Sequence, residues 1–193
     1  MDYPPVVVGV TGASGALLAK YTIQKLLDQE VAPMVVHTNS AQRVWHAEIG
    51  EDIDEWLDAK GCQRFHIDNI GAPPASGSYR TLGMVVVPCS MGTLAGIANG
   101  ISDNLLERAA DVCIKERRTL ILVPRESPLS PIHLENMLKL ARLGVKLLPP
   151  VPAFYTLPKT LEDVLHQVSG RVLDSLGIEE GLAARYRYLK EME

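Results

Sequence analysis

A glycine-rich segment near the start of the chain has residue types that bind phosphate. Residues 9–16 read GVTGASGA and follow the apolar run Val6 to Val10. Small residues allow a tight turn between a strand and a helix, and such a turn exposes backbone amides at the helix N-terminus, where anions bind. We therefore predict that residues 6–27 hold the phosphate of a nucleotide-type cofactor. A turn that serves only close strand–helix packing is the alternative.

The pattern differs from that of a dinucleotide site. The glycine spacing is not G-x-G-x-x-G, and an NAD site usually has Asp or Glu at the end of the second strand. This chain has HTNS there, residues 37–40. The missing carboxylate disfavours NAD, and hydroxyls at this place favour a smaller cofactor held by neutral hydrogen bonds. The Y-x-x-x-K match at Tyr186 to Lys190 lies so near the C-terminus that we interpret it as chance.

Two more segments follow apolar runs and carry polar groups. Residues 88–96, PCSMGTLAG, are small and hydroxylic, and they suit a flat heterocycle with a ribityl or phosphate arm. Arg125 and Glu126 stand between Pro124 and Pro128. Arginine there suits a bidentate phosphate contact, and the carboxyl can donate or accept a proton. A surface ion pair is the alternative for these two residues.

The remaining reactive residues form no recognised motif. The five histidines have no metal-ligand spacing, so we expect no catalytic metal. The three cysteines are odd in number and far apart, which indicates a reducing compartment. Cys89 is either a nucleophile or, more simply, a packed thiol. Arg108, Asp111 and Lys115 share a helix face, which is typical of a solvated salt-bridge stripe, although residues 115–118 concentrate cations.

Short apolar runs alternate with segments of helical period, and this alternation predicts the fold. Strands are expected over residues 6–10, 32–36, 84–87, 119–123 and 146–148, and helices over 17–27, 41–48, 105–116, 134–143 and 161–176. Strand followed by helix, repeated, indicates an α/β, Rossmann-like doubly wound parallel sheet of the flavoprotein type. We expect a single domain over residues 1–193, ending in a charged helical tail.

Composition excludes several partners. The chain has 193 residues, 47% of them hydrophobic, and its 19 basic and 23 acidic residues give a net charge of −4. No global field would attract nucleic acid or an anionic membrane surface. No apolar run approaches the roughly 20 residues of a membrane span, and no basic segment precedes the first apolar run. We expect a cytoplasmic protein.

Eight segments in order resemble the UbiX-type flavin prenyltransferases. They are residues 11–16, 76–78, 88–90, 107–111, 115–118, 124–126, 133–138 and 150–155. The resemblance covers roughly residues 6–186. It implies transfer of a dimethylallyl unit from dimethylallyl phosphate to N5 and C6 of reduced FMN, without a metal. It also implies a homo-oligomer, a dodecamer, that hands its product to a UbiD-type decarboxylase.

The resemblance assigns roles to individual residues. The FMN contacts would be Gly12, Ala13, Ser14, Thr38, Ser90, Met91, Gly92, Thr93 and Arg125. The prenyl phosphate would be held by Lys115, Glu126, Tyr155 and Arg171, the last from a neighbouring region of the oligomer. Ser14 and Glu48 resemble the family pair associated with proton handling, and Lys115 and Glu126 would also act in catalysis. Cations and the Tyr155 hydroxyl suit stabilisation of a phosphate leaving group.

Two positions depart from the family pattern, and two other functions stay open. Thr38 stands where relatives commonly have serine, and Tyr186 stands where some have tryptophan. A flavin-dependent cysteine decarboxylase shares the fold, but its P-A-S-A-N-T motif has an asparagine that residues 88–93, PCSMGT, lack. The other alternative is a non-catalytic FMN carrier or an accessory subunit of a decarboxylase.

Overall fold

The computed structural model describes residues 3–178, and its centre is a parallel sheet of six strands in the order β3-β2-β1-β4-β5-β6. All five strand pairs are parallel. The strands are β1 (Val6–Val10), β2 (Pro33–His37), β3 (Gln63–Phe65), β4 (Gly83–Cys89), β5 (Thr119–Pro124) and β6 (Lys146–Leu147). From β1 the chain adds strands toward the β3 edge of the sheet, and from β4 it adds strands toward the β6 edge. The strand order therefore reverses between β1 and β4. Ligands of open α/β sheets bind at such a point.

Seven α-helices lie within residues 3–178, six of them between strands and the seventh after β6. They are α1 (Ala16–Asp28), α2 (Asn39–Ile49), α3 (Ile53–Ala59), α4 (Met91–Ala98), α5 (Leu105–Lys115), α6 (Pro131–Arg142) and α7 (Leu161–Leu176). Six of these seven begin at a side chain that accepts a hydrogen bond from a backbone amide of the first turn, an N-cap that stabilises a helix by about 1 kcal/mol. Helix α1 has Gly15 at this position and no such cap of its own.

Alternate strand residues bury opposite faces of the sheet. Val6, Val8 and Val10 pack with α1, α2, α3 and α7, whereas Val7 packs with α4, α5 and α6. Each of these valines is at most 1% exposed. Full burial of such a side chain contributes about 1.5 to 3 kcal/mol, so the two layers hold the sheet rigidly under the loops that follow each strand.

The predicted α/β doubly wound sheet is confirmed, with three elements added. The polar edge strand β3, the short helix α3 and the glycine-containing helix α4 were not predicted. Helix α4 begins within residues 88–96, which the sequence suggested as a loop. The predicted tail, with Tyr186, lies outside the described residues. Within residues 3–178, no helix is both long and apolar enough to cross a membrane.

Candidate functional site

The ends of β1 and β4 are joined through one threonine. The buried Thr11 hydroxyl donates to the Pro88 carbonyl oxygen at 2.7 Å and accepts from the Ser90 amide at 2.9 Å. The Thr11 amide also donates to the Pro88 oxygen at 3.3 Å. Thr11 therefore fixes the glycine turn of residues 12–15 against the N-terminus of α4, at the point where the strand order reverses.

The neighbouring strands join the same edge. The Thr38 amide donates to the Val10 oxygen at 3.0 Å, and the Arg125 amide donates to the Cys89 oxygen at 3.2 Å. Residues that follow β1, β2, β4 and β5 are thus linked by main-chain hydrogen bonds. The structure brings together the residues predicted to contact FMN: Gly12, Ala13, Ser14, Thr38, Ser90, Met91, Gly92, Thr93 and Arg125. Their contact with FMN itself stays a prediction.

Gly12 is required by the close approach of the first two loops. A Cβ atom on Gly12 would lie 2.3 Å from the Cβ atom of Ser40, far inside van der Waals contact. Ser40 lies within α2, whereas Thr38 lies directly after β2 and caps α2 by accepting from the Ala41 amide at 3.1 Å. The Thr38 hydroxyl can still donate its hydrogen to a ligand.

Glu48 lies at the N-terminus of α1, where we expected phosphate. Its carboxylate accepts from the Gly15 amide at 3.0 Å and from the Ala16 amide at 2.8 Å. Because these two amides already bind a carboxylate, a phosphate at the glycine turn would have to use other groups, and the prediction that residues 6–27 hold the cofactor phosphate stays a prediction. The predicted pair of Ser14 and Glu48 is adjacent, since Ser14 directly precedes Gly15 and its side chain is exposed.

Helix α4 presents small residues and one available hydroxyl. The Ser90 hydroxyl donates to the Thr93 Oγ1 at 3.0 Å and accepts from the Thr93 amide, so its hydrogen is used within the cap. The Thr93 hydroxyl keeps its own hydrogen for donation. A Cβ atom on Gly92 would meet no atom within 4 Å, so there is open space over this turn of the helix.

Arg125 and Glu126 are exposed directly after β5. The Arg125 guanidinium makes no hydrogen bond or ion pair with any described residue, whereas the Glu126 Oε1 accepts from the Ser127 amide at 3.0 Å. The two side chains therefore do not form the surface ion pair that was the alternative interpretation. A guanidinium available at a strand end suits an incoming phosphate.

Gln167 fixes the segment that carries Tyr155 to helix α7, which carries Arg171. Tyr155 lies in a short 3₁₀ helix, Phe154–Thr156. Gln167 on α7 accepts from the Ala153 amide at 3.0 Å and holds this segment to the helix. Arg171 follows Gln167 by one helical turn, about 6 Å along the axis, and its side chain is 61% exposed. The segment that carries Tyr155 is thus hydrogen-bonded to the helix that carries Arg171.

Lys115 lies at the opposite edge of the sheet from Arg125 and Glu126. It ends α5, and α5 is followed by β5, whose six residues run from the edge near Lys115 to the edge that carries Arg125. At about 3.3 Å per residue this strand separates the two edges by roughly 20 Å. A single chain therefore does not bring Lys115 together with Arg125 and Glu126.

Burial makes two of the cysteines unreactive. Cys89 and Cys113 are buried as free thiols, and desolvation raises the pKa of Cys89 strongly and the pKa of Cys113 to about 12. A thiol that stays protonated is a poor nucleophile, so Cys89 is a packing residue. Among residues 3–178, no three side chains of His, Cys, Asp or Glu are grouped to hold a metal ion.

The sequence of the chain matches the model of the family described as Flavoprotein over residues 1–173. A flavin prenyltransferase UbiX from Alkalihalophilus pseudofirmus is 47% identical over 188 residues, which cover 93% of this chain and 94% of that protein. The chain belongs to the flavin prenyltransferase family. The predicted resemblance is thereby confirmed, and the cysteine decarboxylase alternative is set aside.

Two solved structures of the family share the fold closely. AnUbiX (PadA1), in complex with FMN and dimethylallyl pyrophosphate, has a TM-score of 0.89 at 42% identity, covering 92% of this chain and 94% of that chain. A dodecameric FMN-dependent UbiX-like decarboxylase from Escherichia coli O157:H7 has a TM-score of 0.86 at 46% identity, covering 91% and 96% of the two chains.

Two residues that organise the candidate site of this flavin prenyltransferase were not predicted as site residues. Thr11 was visible only as one letter of the glycine motif, although a threonine directly after a buried strand is a signal for a loop-to-loop hydrogen bond. Gln167 gave no signal in the sequence, because its partners lie 11 and 14 residues earlier in an irregular segment.

Proposed function

We propose that this protein transfers a dimethylallyl unit from dimethylallyl phosphate to N5 and C6 of reduced FMN. The observation that carries the proposal is the meeting of four strand-end loops, after β1, β2, β4 and β5, at the point where the strand order reverses. The structure of AnUbiX, a family member 42% identical to this chain, has been solved in complex with FMN and dimethylallyl pyrophosphate. The product is prenylated FMN, and inorganic phosphate is released.

The residues at this edge fit a flavin mononucleotide. Thr38 and Thr93 each retain a hydroxyl hydrogen, Arg125 supplies a guanidinium, and Gly92 leaves space over α4. No carboxylate follows β2 to select a dinucleotide ribose. When bound, reduced FMN supplies the nucleophilic N5 and C6 atoms. We propose that Gly12, Ala13, Ser14, Thr38, Arg125 and residues 90–93 orient it.

The residues around the donor stabilise a leaving anion. The allylic C–O bond breaks with its electron pair going to phosphate, and a carbon of the allyl unit bonds to N5. The remaining C=C bond takes up a proton and its other end bonds to C6, so N5 and C6 each release one proton and one proton is left over. Positive groups held close to the phosphate oxygens lower the energy of this separation of charge. We propose that Arg171, from a neighbouring region of the oligomer, and the Tyr155 hydroxyl bind the donor phosphate, and that Glu126 passes the leftover proton to the phosphate.

Ser14 and Glu48 are proposed to handle the proton at the flavin. The Glu48 carboxylate is fixed by the Gly15 and Ala16 amides, next to the exposed Ser14. A carboxylate held by two amides has a defined position, which proton transfer requires. Because both groups lie on the β1 side of the edge, we propose that they act on the flavin rather than on the donor phosphate.

We propose that Lys115 reaches the donor phosphate from a second subunit. Lys115 and Arg125 lie at opposite edges of one sheet, so a site containing both needs two copies of the chain. A dodecameric relative is known. Large exposed apolar side chains also favour the assembly of several subunits. Most of them lie from α6 to the start of α7: Ile132, Leu134, Leu138, Leu143, Val151, Phe154, Leu157 and Leu161.

To test this function, the purified protein is incubated with reduced FMN and with dimethylallyl monophosphate or diphosphate in the absence of oxygen. We expect a flavin heavier by one C5H8 unit, formed in equal amount to the phosphate or diphosphate released. An unchanged flavin mass with both donors, in protein that binds FMN, would favour the carrier alternative. Delivery of the product to a UbiD-type decarboxylase is proposed from the resemblance, and a coupled decarboxylation assay tests it.

A further inference from the structure

The ammonium group of Lys115 is held by its neighbour Glu116. The Lys115 Nζ donates to the Glu116 Oε1 at 2.5 Å. Consecutive residues within a helix do not face each other. Here α5 ends at Lys115, Glu116 is the C-cap, and Arg117 has a positive φ of 57°, so the chain turns sharply at this point. The turn allows the Glu116 carboxylate to lie against the lysine.

Helix stability does not account for the choice of glutamate. The C-terminus of a helix carries partial negative charge, so an acidic residue is unfavourable there and a basic residue is favourable. Lys115 and Arg118 nevertheless lower the pKa of Glu116, which keeps its carboxylate ionised. The sequence thus maintains a negative charge beside the lysine at some cost to the helix.

The pair of Lys115 and Glu116 rests on a loop whose position is fixed. A Cβ atom on Gly77 would lie 2.3 Å from the Glu116 Oε1 and 2.7 Å from the Lys115 Nζ. Arg118 donates to the carbonyl oxygens of Gly77 and Tyr79, and Arg108 donates to that of Ala75. The pair therefore lies directly over Gly77, in a loop that Arg108 and Arg118 hold at three carbonyl oxygens.

This arrangement limits how much negative charge Lys115 can neutralise. An ammonium has three N–H donors, and Glu116 takes one of them. Glu116 also leaves a negative charge within contact distance of the nitrogen. A ligand phosphate that reaches Lys115 is attracted by the lysine but repelled by the carboxylate, and the repulsion grows with each added charge on the ligand.

We propose that Glu116 is a specificity-determining residue that makes the donor site favour a prenyl monophosphate over the more highly charged diphosphate. This inference rests on the proposed function, because it assumes that Lys115 contacts the donor phosphate. The alternative is that Lys115 and Glu116 form an exposed ion pair without a functional role, since their side chains are 44% and 38% exposed.

The test compares the two donors in four FMN-loaded proteins: the wild type and the variants Glu116→Gln, Glu116→Asp and Glu55→Gln. Glu55 is an exposed residue of α3 and serves as the charge-matched control. The measurement is the ratio of kcat/KM for the monophosphate to kcat/KM for the diphosphate. Any effect of lysine position acts on both donors, so it cancels in the ratio, whereas an effect of charge does not.

We expect Glu116→Gln to shift this ratio toward the diphosphate by about three- to tenfold, the size of one screened charge at close range. Glu116→Asp, which keeps the charge, and Glu55→Gln should stay within twofold of the wild type. An unchanged ratio in Glu116→Gln, or an equal shift in Glu116→Asp, overturns the inference.

A second measurement separates this inference from the proposed function. Calorimetric titration with inorganic phosphate and with pyrophosphate needs no turnover, and the same shift in the ratio of affinities is expected for Glu116→Gln. If the wild type prenylates nothing, the proposed function fails while the titration still decides the role of Glu116. If the wild type is active and both ratios are unchanged, only the inference about Glu116 fails.

Discussion

The Glu48 carboxylate accepts a hydrogen bond from the Ala16 amide at 2.8 Å, and through this contact α2 caps the helix that begins 32 residues earlier. The other six helices described here are capped by a residue at their own start. Glu48 therefore joins the two helices that follow β1 and β2, next to the exposed Ser14.

Replacing Glu48 by Ala should lower the free energy of unfolding by about 1 kcal/mol, because it leaves the Gly15 and Ala16 amides without their acceptor. Glu48→Gln retains one acceptor oxygen and should cost less, yet it should slow prenyl transfer if the carboxylate handles a proton. Urea unfolding and single-turnover kinetics measure the two effects. Equal stability of Glu48→Ala and a Glu135→Ala control, at an exposed position beyond the first turn of α6, would contradict the capping role.

Gly12→Ala should destabilise the protein by about 1 to 3 kcal/mol, because the new Cβ atom would meet the Cβ atom of Ser40 at 2.3 Å. Adding Ser40→Gly removes that atom and should recover part of the loss, even though glycine itself weakens α2. A double-mutant cycle by urea unfolding measures this coupling. Strictly additive effects of the two substitutions would show that the two loops do not press on each other.

Arg125→Met should weaken FMN binding by about tenfold or more, since the guanidinium has no partner among residues 3–178 and is proposed to bind the flavin phosphate. Arg80→Met, at an exposed loop position, serves as the control. Fluorescence titration with FMN and with riboflavin measures the effect. The loss should be confined to FMN, and an equal loss with riboflavin would remove Arg125 from the phosphate contact.

Cys89 and Cys113 should not react with a disulfide reagent at pH 8 in the native protein. Burial raises the pKa of each thiol, to about 12 for Cys113, so little thiolate forms. The experiment uses a Cys62→Ser variant, in which only these two thiols remain, and follows reaction before and after unfolding. Rapid modification of Cys89 in the native state would restore it as a candidate nucleophile.

Much of the fold was predictable because the spacing of apolar residues along the sequence indicates which strands and helices are buried. Strand β1 and helix α7 were predicted at their observed bounds, since both bury a regular apolar pattern. Strand β3 was missed because it is a polar edge strand of three residues. Helix α4 was missed because Gly92 and Gly96 suggest a loop, although its Ser90 cap and its burial against the sheet stabilise it.

The candidate site was predictable only in part. Four strand-end segments were correctly expected at one edge, because carboxyl ends of parallel strands meet there. The sequence did not indicate that Glu48 occupies the N-terminus of α1, since that contact joins residues 32 positions apart. Nor did it indicate that Lys115 lies at the far edge, because a motif gives the order of residues along the chain but not the edge of the sheet.

Mixed oligomers can show whether prenyl transfer occurs at a site that a second subunit completes. Lys115→Met and Glu126→Gln, which change residues at opposite edges of the sheet and are each expected to be strongly impaired alone, are unfolded and refolded together at equal amounts with saturating FMN. Random assembly should then leave about one quarter of the sites with both residues intact. We predict that prenylated flavin, measured by mass, returns to about a quarter of the wild-type yield. A mixture as inactive as its two components, alongside refolded wild type that regains activity, would contradict the shared site.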